Sequence, residues 1–139
     1  MMNFLKNVKI TMVNDAAASA GTAINSDSVD MAGFDGVVFL GKMATANASN
    51  FANVATSSDD SSFNDLLGSK VTPGDNGDSW AIEIHKPLER YLRCEVDRGG
   101  ANTAVGAIYA LQYTGRKVAV THGTTIDSEI HAGPAEGTA

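Results

Sequence analysis

From Trp80 to Val120 apolar and polar residues alternate in short runs separated by turn-forming residues, which is the pattern of half-buried β-strands. Along Arg90–Gly99, Leu92, Cys94 and Val96 fall on one side while Tyr91, Arg93, Glu95 and Asp97 fall on the other. This predicts a strand with one buried and one polar face. Before it, Trp80, Ile82 and Ile84 share a side, which places the tryptophan in the core. The Lys86-Pro87 step ends that run, because proline donates nothing to a ladder. After it, the residues from Arg98 to Asn102 are expected to form a hairpin turn with the arginine at its edge. The run Val105–Tyr113 is apolar on both faces, so a central position in a sheet is expected.

The first half is patterned more weakly. Asn7–Val13 predicts the first strand or an arm laid on a neighbour, and the alanine-rich run that Gly21 ends is expected to be a loop or a single turn. Thr22–Met31 suits a strand near a sheet edge. Val37–Leu40 is a short continuous apolar run, expected to be buried on both sides beside Val105–Tyr113. Phe51–Thr56 enters a Ser57–Ser62 turn whose Ser and Asp side chains can bond their own backbone. Pro73–Asp78 is the strongest turn signal in the chain, and Arg116–Val120 reads as a last short strand. These elements predict an all-β protein, an antiparallel β-sandwich of jelly-roll type with extended N- and C-terminal arms. One domain is expected over residues 1–120. Residues 121–139 form the C-terminal arm, with Ile126 and Ile130 as its principal apolar anchors.

Composition narrows the function classes. The chain has 139 residues, a formal net charge of -6 and a single cysteine. An acidic chain lacks the basic excess that a phosphate-binding surface needs, so nucleic acid is not an expected partner. No run approaches the roughly 18 apolar residues of a membrane helix and the start has no long apolar signal, so a soluble protein made in a cytoplasm is expected. Cys94 has an inward strand position and reads as a small packed side chain. His85, His122 and His131 lie far apart without ligand spacing, and Asp59-Asp60 and Asp75–Asp78 do not match a calcium loop. Neither a phosphate-binding glycine loop nor a nucleophile elbow is present. The reading is therefore of a non-enzyme with no catalytic residue, no metal and no cofactor.

A resemblance takes the reading further. The runs Pro87–Arg93, Val96–Gly99 and Ala107–Tyr113, the Arg116-Lys117 pair and the run Ser128–Ala139 resemble a family of small tailed-bacteriophage structural proteins, many of which accompany the major capsid protein. The Val29–Asp35 and Ser58–Phe63 turns match more loosely. The resemblance implies a virion protein on the capsid surface, made in the host cytoplasm. Its expected role is capsid decoration or cement, as a closed homotrimer with the major capsid protein as partner. A head-to-tail connector or tail component is the alternative within that resemblance, and a carbohydrate-binding or adhesion sandwich is the alternative outside it. Arg90, Arg93, Arg98, Arg116 and Lys117 are the candidate contacts with an acidic partner or the next subunit. The competing reading is a solvated strand face balanced by Glu89, Glu95 and Asp97. Ile126 and Ile130 are the candidate contacts from the C-terminal arm.

Overall fold

The computed structural model describes residues 3–114 and 120–130. One helical turn, α1 (Phe4–Asn7), precedes β1 (Val8–Asn14), β2 (Ala17–Ala20), β3 (Ile24–Asn25), β4 (Val29–Asp30) and β5 (Gly36–Lys42). There follow β6 (Phe51–Ser57), β7 (Asn64–Asp65), β8 (Ser79–His85), β9 (Tyr91–Asp97), β10 (Thr103–Val105) and β11 (Ile108–Tyr113). The protein is nearly all-β, and every strand pairing is antiparallel. One sheet has the order β1-β11-β5-β8. A second has the order β3-β9-β6-β7 with β4 also on β9, and β10 and β2 form a separate ribbon.

The alternation predicted for β9 holds, with Leu92, Cys94 and Val96 buried and the residues between them half-buried. These three join Val54 from β6 and Val37, Phe39, Trp80, Ile82 and Ile108 from the first sheet in one hydrophobic cluster. The core thus draws on the inward faces of both sheets. Trp80 is buried and lies across Gly41, its cross-strand partner, where a Cβ would overlap the indole.

Three expectations change, and one open alternative is decided. Strands β8, β9 and β11 do not pair in succession: β8 and β11 belong to the first sheet and β9 to the second. The stretch after Arg98 is therefore no hairpin turn but a crossover that passes through β10. The alanine-rich run is strand β2, because β10 offers it a partner, Thr103 opposite Ala20 and Val105 opposite Ala17. Residues 8–14 form an edge strand of the first sheet and not an arm on a neighbour. Strand β5 does lie beside a central β11, but only Val37 and Phe39 are buried, while Val38 is half-buried and Leu40 exposed. Both apolar runs have one face turned outward.

The turns behave as their side chains predict. Asp59 accepts hydrogen bonds from the Ser61 and Ser62 amides at 3.0 and 2.9 Å and from the Ser57 hydroxyl at 2.8 Å, which holds its carboxyl well below the usual carboxylate range. At the Pro73–Asp78 turn, Gly77 takes φ 82° and its amide bonds the Met43 carbonyl at 3.0 Å. Residues 120–130 have no regular structure. They begin on the free edge of β1, where the Gly123 amide donates to the Ile10 carbonyl at 2.8 Å and the Ile10 amide donates to His122 Nδ1 at 3.0 Å. Of the predicted last strand, residues 116–119 lie outside the described residues, and so do residues 131–139 of the arm.

Candidate functional site

The two sheets turn very different outer faces to solvent. On the second sheet, Tyr91, Arg93, Glu95 and Asp97 of β9 lie opposite Ser57, Ala55, Asn53 and Phe51 of β6. Charges there are paired within the molecule. Arg93 donates to Glu95 Oε1 from Nη2 at 2.6 Å and from Nε at 2.8 Å, and its guanidinium lies 4.2 Å from the centre of the Phe63 ring. Arg90 makes a two-pronged contact with Asp30 on β4 at 2.9 and 2.7 Å, and this pair lowers the Asp30 pKa to about 2. Asn53 donates to Asp65 at 2.9 Å, and Lys70 sits 4.1 Å over the Phe51 ring.

Arg98 does not belong to this face. It is 5 % exposed, and it donates to the backbone carbonyls of Thr22, Ala18 and Thr103 at 2.7, 2.8 and 2.9 Å. The side chain ties together β2, the approach to β3 and β10, so its chemistry is internal. Asn50 does similar work nearby: its Oδ1 accepts from the Gly100 and Ala101 amides at 3.0 and 3.1 Å, and its Nδ2 donates to the Ala101 carbonyl at 2.9 Å. Of the other expected contacts, Arg116 and Lys117 lie outside the described residues. Ile126 is half-buried and Ile130 exposed in the segment after β1's edge contact.

The first sheet presents the opposite chemistry. Register places Met12, Tyr109 and Leu40 in one cross-strand row and Ile10, Leu111 and Val38 in the next. Both rows point away from the core, because Phe39 and Ala110, which lie between them along β5 and β11, point into it. Leu40 is 38 % and Tyr109 37 % exposed, and the exposed Phe4 of α1 stands at one end beside a cleft of about 210 Å³ lined by Val8, Val38, Leu111 and Tyr113. The polar border is Tyr113, whose hydroxyl donates to Glu83 and lies 3.3 Å from His85 Nδ1. Partial burial and then the Glu83 carboxylate push the Tyr113 pKa up to about 12, so the phenol remains a neutral donor.

These six apolar side chains were absent from the expected contacts. Four of them belong to the two runs apolar on both faces, whose periodicity suggests double burial, and Ile10 and Met12 come from the first strand. Cys94 offers no nucleophile: it is buried, and desolvation followed by the Glu95 charge pushes its pKa up to about 12. Among the described residues no group of three or more His, Cys, Asp and Glu side chains is placed to hold a metal ion, and no helix is long and apolar enough to cross a membrane. No protein-family model matches the chain, and no curated protein matches it.

Proposed function

We propose that this chain is a virion structural protein of a tailed bacteriophage, a capsid decoration or cement protein that binds the major capsid shell and stabilises it. In this reading it is made in the host cytoplasm and closes into a homotrimer only on the capsid surface, through its apolar outer face and the Ile126 to Ile130 stretch. The fold that goes with it is a jelly-roll sandwich. Strand order supports that finer assignment. With β3 and β4 counted as one interrupted strand and the β2–β10 ribbon set aside, the eight strands run 1-8-3-6 in one sheet and 2-7-4-5 in the other, and jelly rolls recur in viral capsid proteins.

The observation that carries the proposal is the apolar outer face formed by Ile10, Met12, Val38, Leu40, Tyr109 and Leu111. Leu40 and Tyr109 are exposed and the other four half-buried, and contiguous apolar surface of this kind marks protein-binding sites in otherwise polar chains. A shell presents many copies of one surface, so an oligomer that engages several subunits gains roughly 10² to 10⁴ in avidity from contacts that are individually weak. The charged face contributes less, since its arginines are already paired. The test is cosedimentation with empty shells of the major capsid protein encoded in the same genome. The wild-type chain should pellet with the shells and the Leu40→Glu, Tyr109→Ser double variant should stay in the supernatant. Failure of the wild-type chain to bind shells, with binding instead to isolated connectors or tails, would replace decoration by the head-to-tail reading. Binding to a glycan array without binding to shells would replace both.

A further inference from the structure

Sheet edges in a small β-protein are normally blunted, since a free row of backbone donors and acceptors recruits other strands. Among the described residues, three of the four edges of the two larger sheets follow that rule. Residues 122 and 123 bond to β1, the β3–β4 edge is broken into two-residue pieces, and β7 has only two residues. Strand β8 is the exception. It runs for seven residues at the end of its sheet, with β5 as its partner on one side alone.

The backbone phase of β8 follows from the bonds at its two ends. The Lys86 amide donates to the Asp35 carbonyl at 2.7 Å, and the Met43 amide donates to the Asp78 carbonyl at 3.1 Å. Residues 78 and 86 therefore direct their backbone groups at the β5 side, and with alternation so do Trp80, Ile82 and Ile84. The N–H and C=O groups of Ser79, Ala81, Glu83 and His85 point the other way. No backbone bond from these groups to the free side is made by any other described residue. Beside this edge runs a groove of about 430 Å³ lined by Leu66, Leu67, Val71, Ile82 and Ile84, continuous through Leu66 and Ile84 with a second of about 310 Å³ that reaches Leu88. Leu67 and Leu88 are fully exposed.

We propose that the free edge of β8 is a pairing site for β8 of a second copy of this chain, antiparallel about a twofold axis at Ile82. The inference stands apart from the virion reading and does not rest on it. The register is chosen by chemistry. With the axis at Ile82, Ala81 faces Glu83 and Ser79 faces His85, so all four outward residues find partners, and Asp78 stands opposite Lys86 at both ends. An axis at Glu83 sets two carboxylates against each other, which is unfavourable. An axis at Ile84 brings Pro87, which has no N–H, opposite Ala81. Pairing about Ile82 joins the two first sheets into one continuous sheet, the self-complementary contact expected of twofold dimers, and brings the second copy over the grooves that Leu67 and Leu88 flank.

The experiment is sedimentation equilibrium combined with amide hydrogen exchange on the full chain. The wild-type protein should sediment as a dimer at tens of micromolar, about the range of a Kd near 1 to 10 μM, and the Ala81 and Glu83 amides should become protected as concentration rises. Ala81→Pro removes an N–H from the free edge and none from the β5 ladder, so it should be monomeric, with an unfolding midpoint equal to that of the wild type measured below the dimer Kd. Charge reversal gives a second route that does not depend on proline. Asp78→Lys and Lys86→Asp should each weaken the dimer about tenfold, and their combination should restore it, because like charges are then again replaced by opposite ones. A monomer throughout this range, a trimer indifferent to Ala81→Pro, or unprotected Ala81 and Glu83 amides in a dimer would each overturn the proposal. A dimer that persists while shells are not bound would leave it standing and remove the decoration reading instead.

Discussion

Strands β5 and β9 each run for seven residues and send their inward side chains into the same core, yet their outward faces have opposite chemistry. On β9 the charges already have partners within the molecule: Arg93 lies between Glu95 and Phe63, and Asp97 accepts from the Gly99 amide. On β5 and β11 the outward residues Val38, Leu40, Tyr109 and Leu111 gain nothing from water. A charged face is the more conspicuous in sequence, but a charge satisfied inside the molecule has little left for a partner. The apolar face is the one whose free energy is lowered by being covered.

The comparison can be broken or sharpened by measurement. The largest effect is expected beneath the charged face, where Leu92→Ala should cost about 2 to 5 kcal/mol through the cavity it leaves, read from denaturant midpoints. Next is Arg98→Ala, which removes a buried guanidinium and its three bonds to backbone carbonyls, that of Thr103 buried, and should cost on the order of 3 kcal/mol; Arg93→Ala, on the surface, should cost less than about 1 kcal/mol. If the two arginine variants were equal, the division between an internal and a surface arginine would fail. Leu40→Ser on the apolar face should change stability by no more than about 0.5 kcal/mol while lowering the tendency to associate, measured by sedimentation. A large loss of stability would show that this face belongs to the fold and not to a partner.

The smallest effect is expected from the Arg90–Asp30 pair. The guanidinium and the Ala32 amide hold the Asp30 pKa at about 2, below its ordinary 3.8. A carboxylate with a depressed pKa stabilises the fold above its ordinary value and loses that contribution as pH falls from 3.8 towards 2. Asp30→Asn should therefore lower neutral-pH stability only slightly, because both side chains are well exposed, and flatten the acid unfolding curve within that window by the same small amount.

Much of the fold was legible in the chain because strand periodicity and turn chemistry are local signals. The β9 alternation, the inward Trp80, the Ser57–Ser62 turn and the pairing of Val37–Leu40 with the 105–113 run all rest on residues close together in sequence or on simple burial arguments. What was not legible depends on partners far away. Ala17–Ala20 carries no strand signal of its own and becomes one because Thr103–Val105 lies beside it. Arg98 looks like a turn residue until the carbonyls of Ala18 and Thr22, supplied from the other end of the chain, close around it. The apolar outer face was misread for a different reason: periodicity reports that both sides of a strand are apolar, but not whether the second side is covered by this chain or by another.

Arg98 also bears on how the chain reaches its native state. Its acceptors Thr22 and Ala18 are 76 and 80 residues away in sequence, whereas Thr103 is only 5 away. Until β2 and the chain leading to β3 have arrived, closing the β10 crossover over this guanidinium would desolvate a charge without its partners, so the loop end is disfavoured in any partly folded form. Long-range pairings of this kind are slow, because chain closure must precede the contacts that compensate for it. The arginine's bonds are therefore expected to form late in folding, after the transition state. Arg98→Ala should leave the refolding rate almost unchanged and accelerate unfolding, with a φ-value near zero.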